Sequence, residues 1–128
     1  MLITLSSSKT VADVVTALEA AIPANQFGLM QIHNIKATMA KKGVEFDHEC
    51  LIIELCQPNK AKQILDQNIS ISTVLPCRIS VYEERGKTTL STVKPTTLIE
   101  MFNAPELAGV AQEIEEVIVK IMQEASAG

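Results

Sequence analysis

The chain has 128 residues, of which 47% are apolar, and a formal charge of −4 at pH 7. That length predicts a single domain over residues 1–128, large enough to bury about two-thirds of its unfolded surface around one core. The acidic balance, with Lys41-Lys42 as the only basic run, removes the electrostatic case for nucleic acid. No stretch approaches the roughly 20 apolar residues that span a bilayer, so no membrane partner is expected, and the first residues lack the pattern of a leader. The expected location is the cytoplasm. Three cysteines at irregular spacing make a poor disulfide framework and fit free thiols in a reducing compartment. Three Phe, one Tyr and no Trp leave the core to Ile, Leu, Val, Ala and Met.

Leu2-Ile3-Thr4-Leu5 reads as a short strand. The hydroxyl cluster Ser6 to Thr10 then offers caps to a helix whose apolar positions are Val11, Val14, Val15, Leu18 and Ile22, ended by Pro23. Phe27 to His33 reads as a second strand, apolar on both faces and therefore expected inside the sheet. A helical turn from Ile35 to Lys42 closes at Gly43.

Cys50-Leu51-Ile52-Ile53-Glu54-Leu55-Cys56 is a β-branched, apolar third strand, and Pro58 starts a helix carrying Ala61, Ile64 and Leu65. A connection of mixed character, 69–75, leads to the alternating strand Cys77 to Glu83. Arg85-Gly86-Lys87 then turns the chain into Thr88 to Val93, a hairpin by period and turn chemistry.

A short helix over Thr96 to Phe102 precedes the strongest helical pattern in the chain, begun by Asn103 or Ala104 and Pro105, with Glu106 in its first turn. Leu107, Val110, Ala111, Ile114, Val117, Ile118 and Ile121 form its apolar stripe. Glu116 and Lys120 are spaced for an i,i+4 pair. This order of elements predicts an α+β fold: an antiparallel or mixed sheet of about five strands, a split βαβ-like start, helices on one or both faces and a long amphipathic C-terminal helix.

Several features together resemble the domain-of-unknown-function family 302. They are Phe27-Gly28, Ile32-His33-Asn34, Lys42-Gly43, Cys56-Gln57-Pro58 with Ala61 and Leu65, Leu75-Pro76-Cys77-Arg78 leading into Val81-Tyr82, and Pro95 through Phe102. The resemblance covers essentially the whole chain. It implies a compact α/β domain of bacterial type, often dimeric, and supplies no catalytic residue.

Among the reactive side chains, Cys50 and Cys56 share a strand face, but six residues at about 3.3 Å rise place them roughly 20 Å apart, beyond disulfide reach. Cys77 shares parity with Ile79 and Val81 and reads as a small buried hydrophobe. Cys56 ends a strand just before a helix N-terminus, a place that lowers a thiol pKa. Whether Cys56 and Cys77 meet depends on direction. Antiparallel third and fourth strands put both at one end of the sheet, whereas a parallel crossover puts them at opposite ends.

His33 ends a strand, and Arg78 shares the face opposite Cys77 with Ser80 and Tyr82, where it lines either a polar groove or a solvated surface. His48-Glu49-Cys50 matches no metal-ligand spacing, and the five glycines are isolated, with no phosphate loop or nucleophile elbow. No catalytic group is expected. The expected function is a non-catalytic small-ligand binding or interaction module, acting as a homodimer, with His33, Cys56, Cys77 and Arg78 as pocket residues. The alternative is thiol redox chemistry, or metal or cofactor binding by Cys56 and Cys77 with His33.

Overall fold

A computed structural model describes residues 1–128. Its elements in chain order are β1 (Leu2–Ser7), α1 (Val11–Ala24), β2 (Gly28–Asn34), α2 (Ile35–Lys41), β3 (Cys50–Cys56), α3 (Pro58–Gln67), β4 (Cys77–Glu84), β5 (Lys87–Val93), α4 (Pro95–Glu100) and α5 (Ala108–Ser126). Single 3-10 segments precede β4 (Ile69–Val74) and α5 (Pro105–Leu107). The five strands form one sheet in the order β1-β5-β4-β3-β2, with every neighbouring pair antiparallel. This is the α+β fold expected from the order of elements.

The register explains where the core lies. Leu51 pairs with Val81, which pairs with Leu90, which pairs with Leu5, and Ile53 pairs with Ile79. Directly opposed residues share a face, so these rows lie together on one side of the sheet. Ile53, Leu55, Ile79, Val81 and Leu90 are fully buried there. Against them pack α1, through Val14, Leu18 and Ile22, and α5, through Ile114, Ile118, Ile121 and Met122. The helices α3 and α4 flank α5 in the same layer. The opposite face, with the row His33, Ile52, Ser80, Ser91 and Thr4, has no helical layer of its own.

The start of the chain is a widely split βαβ unit, because β1 and β2 are the two edge strands with three others between them. The helix that joins them has 14 residues, about 21 Å at 1.5 Å per residue. Five strands at 4.7–4.9 Å spacing are roughly 19 Å across, and because β1 and β2 run parallel, α1 with its flanking residues carries the chain both to the far edge and back along the strands. Its cap is Thr10, whose side chain accepts from Asp13 N at 3.1 Å. Pro23 does not end it but sits in the last turn, where the chain continues to Ala24 and Asn25 caps.

The placement of β2 differs from the sequence expectation. It is an edge strand with a bulge between Leu29 and Gln31, and Leu29 and Met30 are exposed. Apolar residues on both faces suggest an interior strand, but the two at the bulge face solvent instead. A bulge disrupts the ladder and blunts an edge against further pairing. The expected Glu116 to Lys120 pair is also replaced, since Glu116 accepts from Gln112 Nε2 at 3.2 Å.

The hairpin forms as its sequence indicates. Arg85 at φ 54° and Gly86 at φ 78° give two positive φ values in succession between Glu84 and its partner Lys87, the requirement of a two-residue type I′ turn. No helix is long and apolar enough to cross a membrane.

Candidate functional site

Because β3 and β4 run antiparallel with Leu55 opposite Cys77, the last residue of β3 and the first of β4 lie at the same end of the sheet. This resolves the alternative left open by the sequence in favour of proximity. Cys56 and Cys77 line a common void with Phe27, Ala61, Ile64 and Ile114. Both thiols are free. Gln57 caps α3, its side chain accepting from Lys60 N at 2.8 Å, and Pro58 occupies the first turn.

Burial overrides the helix terminus in setting thiol chemistry here. It pushes the Cys56 thiol up from its ordinary value, opposite to the lowering expected beside a helix N-terminus. Burial pushes Cys77 further, to about 11, with the charge of a Cys56 thiolate adding to the rise. At neutral pH both sulfurs are protonated thiols, poor nucleophiles and poor metal ligands until a proton is lost.

Cys77 also opens onto a larger space. A cavity of about 240 Å³ lies beyond it, bounded by Val74, Pro76, Arg78, Thr92, Pro95 and Leu98. A smaller void of about 20 Å³ extends from it toward Ile64, Ala111 and Ile114, sharing Val74, Cys77, Pro95 and Leu98. The walls therefore come from the segment before β4, the ends of β4 and β5, and the start of α4. Thr92 Oγ1 donates to the Arg78 carbonyl at 2.6 Å, tying the ends of the two strands together beneath the cavity.

Arg78 stands at the rim and joins this cavity to a polar cluster on the open face. Its cross-strand partner is Glu54, whose carboxylate takes Arg78 Nε at 3.6 Å and His33 Nε2 at 3.1 Å. The Glu54 side chain is only 15% exposed. The same face carries a hydroxyl chain in which Tyr82 Oη meets Ser91 Oγ at 3.0 Å and Thr4 Oγ1 meets Ser91 Oγ at 3.3 Å.

The four expected site residues thus fall into one neighbourhood with two compartments. Cys56 and Cys77 share the core-side void, Cys77 and Arg78 share the strand-end cavity, and His33 reaches Arg78 only through Glu54 on the other face. No three His, Cys, Asp or Glu side chains converge to hold a metal ion. Glu54 is the residue that sequence reasoning misses. Its signal is a single carboxylate inside the otherwise apolar run from Cys50 to Cys56, which requires a partner on one face.

A family model described as Domain of unknown function DUF302 matches residues 3–125. The chain belongs to that family. A structural relative with the same family designation, the crystal structure of an uncharacterized conserved DUF302 protein from Bacillus stearothermophilus, aligns with a TM-score of 0.91 at 28% identity. The alignment covers 97% of each chain, so the DUF302 architecture extends over the whole sheet and its helical layer. No curated protein matches the chain.

Proposed function

We propose that this DUF302 protein is a non-catalytic module that binds a small amphipathic carboxylate in the strand-end cavity between β4, β5 and α4. The observation that carries this reading is one charged group at the mouth of a hollow whose walls are mainly apolar. Val74, Pro76, Val93, Pro95 and Leu98 supply the walls, Thr73 and Thr92 two hydroxyls, and Arg78 the cation. Ligand sites combine apolar walls with a few placed polar groups, and guanidinium suits a carboxylate through two parallel hydrogen bonds. The volume of about 240 Å³ is below the roughly 300–1,000 Å³ of drug-sized pockets, so the occupant is small. Cys77 forms the floor as a neutral, polarizable wall.

Saturation-transfer NMR with a panel of short-chain and aromatic carboxylates tests this. Binding is expected in the native protein and is lost in Arg78→Ala and in Leu98→Trp, which fills the hollow. Equal binding to all three proteins, or to none at millimolar ligand, sinks the proposal.

The homodimer belongs to the same reading. Its support is the sheet face without a helical layer and the β1 edge, where Met1 is 76% and Leu2 60% exposed. Sedimentation velocity giving a dimer supports it, and a monomer at all concentrations refutes it.

A second reading, thiol redox chemistry by Cys56 with Cys77, is favoured by the void the two residues share. It requires a Cys56 to Cys77 disulfide after treatment with a thiol oxidant, detected by peptide mass spectrometry. Its absence under conditions that oxidise Cys50 removes it. His33, engaged with Glu54 on the other face, takes no part.

A further inference from the structure

Glu54 couples the mouth of the strand-end cavity to the edge strand β2. Its two oxygens are divided between two side chains, Oε1 taking His33 Nε2 at 3.1 Å and Oε2 taking Arg78 Nε at 3.6 Å. Arg78 enters this arrangement through Nε, and its terminal amino groups, which carry most of the guanidinium's N–H donors, are in no other ion pair. In the neutral ring His33 donates the Nε2 proton to Glu54, which leaves Nδ1 as the site of a second proton. The His33 side chain is 39% exposed, so water can deliver that proton.

The charge beside the cavity therefore has two values. With a neutral imidazole the Arg78 cation is balanced by the Glu54 anion. With a protonated imidazole one carboxylate is shared by two cations, and the group is net positive. Glu54 is only 15% exposed, where charges are less screened than in open water.

We infer that His33 sets the carboxylate affinity of the strand-end cavity, because protonation of its ring draws Glu54 away from Arg78 and leaves the guanidinium to the ligand. This regulation rests on carboxylate binding in that cavity. Affinity rises as pH falls through the imidazole range, and by reciprocity a bound carboxylate favours the protonated ring. Few other groups on this face compete for the role. β2 has only β3 beside it; β3 contributes Cys50, Glu54 and, at its end, Cys56, and β4 contributes Arg78 and Tyr82. Glu84 and Lys87 lie at the hairpin end, and Lys36 of α2 is taken by Glu49 at 3.1 Å. Thiols and phenols ordinarily ionise above pH 8, and burial raises Cys56 further. The amino group of Met1, whose carbonyl accepts from Lys94 N at 2.9 Å, gains charge over the same range and acts in the same direction, so a His33 variant is the deciding comparison.

The test measures the dissociation constant of benzoate by amide chemical-shift titration at pH 8 and pH 6 and constant ionic strength, with benzamide as the uncharged isostere. The native protein is expected to bind benzoate about threefold more tightly at pH 6, the scale of one partly exposed ion pair, and benzamide equally at both. His33→Gln is expected to stay near the weak value at both. Glu54→Gln, whose amide oxygen still accepts from Arg78 Nε, is expected to hold the tight value already at pH 8. His48→Gln, at the other histidine, keeps the native profile. The same spectra show that each variant is folded. A pH dependence that survives undiminished in His33→Gln, or native affinity at pH 8 in Glu54→Gln, overturns the role of His33 and leaves carboxylate binding intact. No benzoate binding at either pH removes the cavity reading itself and this regulation with it.

Discussion

Glu54 serves two partners from one nearly buried carboxylate, and its value to the fold depends on what is left when it is gone. His33 and Arg78 are partly solvated, their side chains 39% and 63% exposed, so Glu54→Ala strands no buried charge. The expected cost is about 1 kcal/mol, the scale of exposed and half-exposed pairs, read as a shift in the urea midpoint at unchanged slope. Cys77 has a larger effect, and its direction follows from the raised pKa. The unfolded thiol ionises near its ordinary 9.0 and the folded one near 11, so between these values the unfolded chain has already released a proton that the native protein retains. The contribution is fully present below pH 9 and is lost as pH rises through 11. Two pH units correspond to at most about 2–3 kcal/mol. Stability measured from pH 8 to 11 is expected to fall less steeply in Cys77→Ala than in the native protein. An identical slope would mean that Cys77 ionises no later in the folded protein than in the unfolded chain.

Elements differ in how much of their placement their own residues determine. The β4–β5 hairpin is legible because the turn needs only two adjacent residues that accept positive φ, and Arg85-Gly86 lies between two alternating strands. The helix α5 is legible because its buried positions Ala111, Ile114, Ile118, Ile121, Met122 and Ala125 repeat at helical spacing. The edge position of β2 is not, since nothing in Phe27 to His33 states that only one neighbour will pair with it. The meeting of Cys56 and Cys77 is likewise set by the direction in which the chain returns after α3, and the 3-10 segment Ile69–Val74 permits either. The cap of α4 is also supplied from a distance. Glu115 Oε1 on α5 accepts from Thr96 Oγ1 at 2.7 Å and from Thr96 N at 3.3 Å. A first-turn amide without its acceptor costs about 1 kcal/mol, and α4 forms one wall of the strand-end cavity. Glu115→Ala is therefore expected to speed hydrogen exchange across residues 95–100 and to weaken carboxylate binding about fivefold, with little change in α1. Unchanged exchange in α4 would show that its start is held by packing alone.

At the scale of the whole molecule, one buried layer holds everything together, because only one sheet face is covered by helices. Ile118 is fully buried in that layer, within the same core as Ile79 and Leu18. Ile118→Ala is expected to cost about 2–5 kcal/mol through lost transfer energy and the cavity left behind, a large share of the 5–15 kcal/mol that holds a typical domain folded. Thermal unfolding is expected to stay a single transition at a lower midpoint, and two separated transitions would show that the helical layer and the sheet come apart independently. The pairing of β1 with β5 has a further consequence for the growing chain. Leu2 pairs with Val93 and Ser7 with Thr88, and β1 has no other strand beside it, so β1, once translated, must await a partner some 80 to 90 residues later. At about 5–20 residues per second the ribosome takes roughly 4 to 18 seconds to deliver it. Throughout that interval Leu2-Ile3-Thr4-Leu5 is an unpaired apolar β-segment of the nascent chain, open to chaperones and to its counterparts on neighbouring ribosomes.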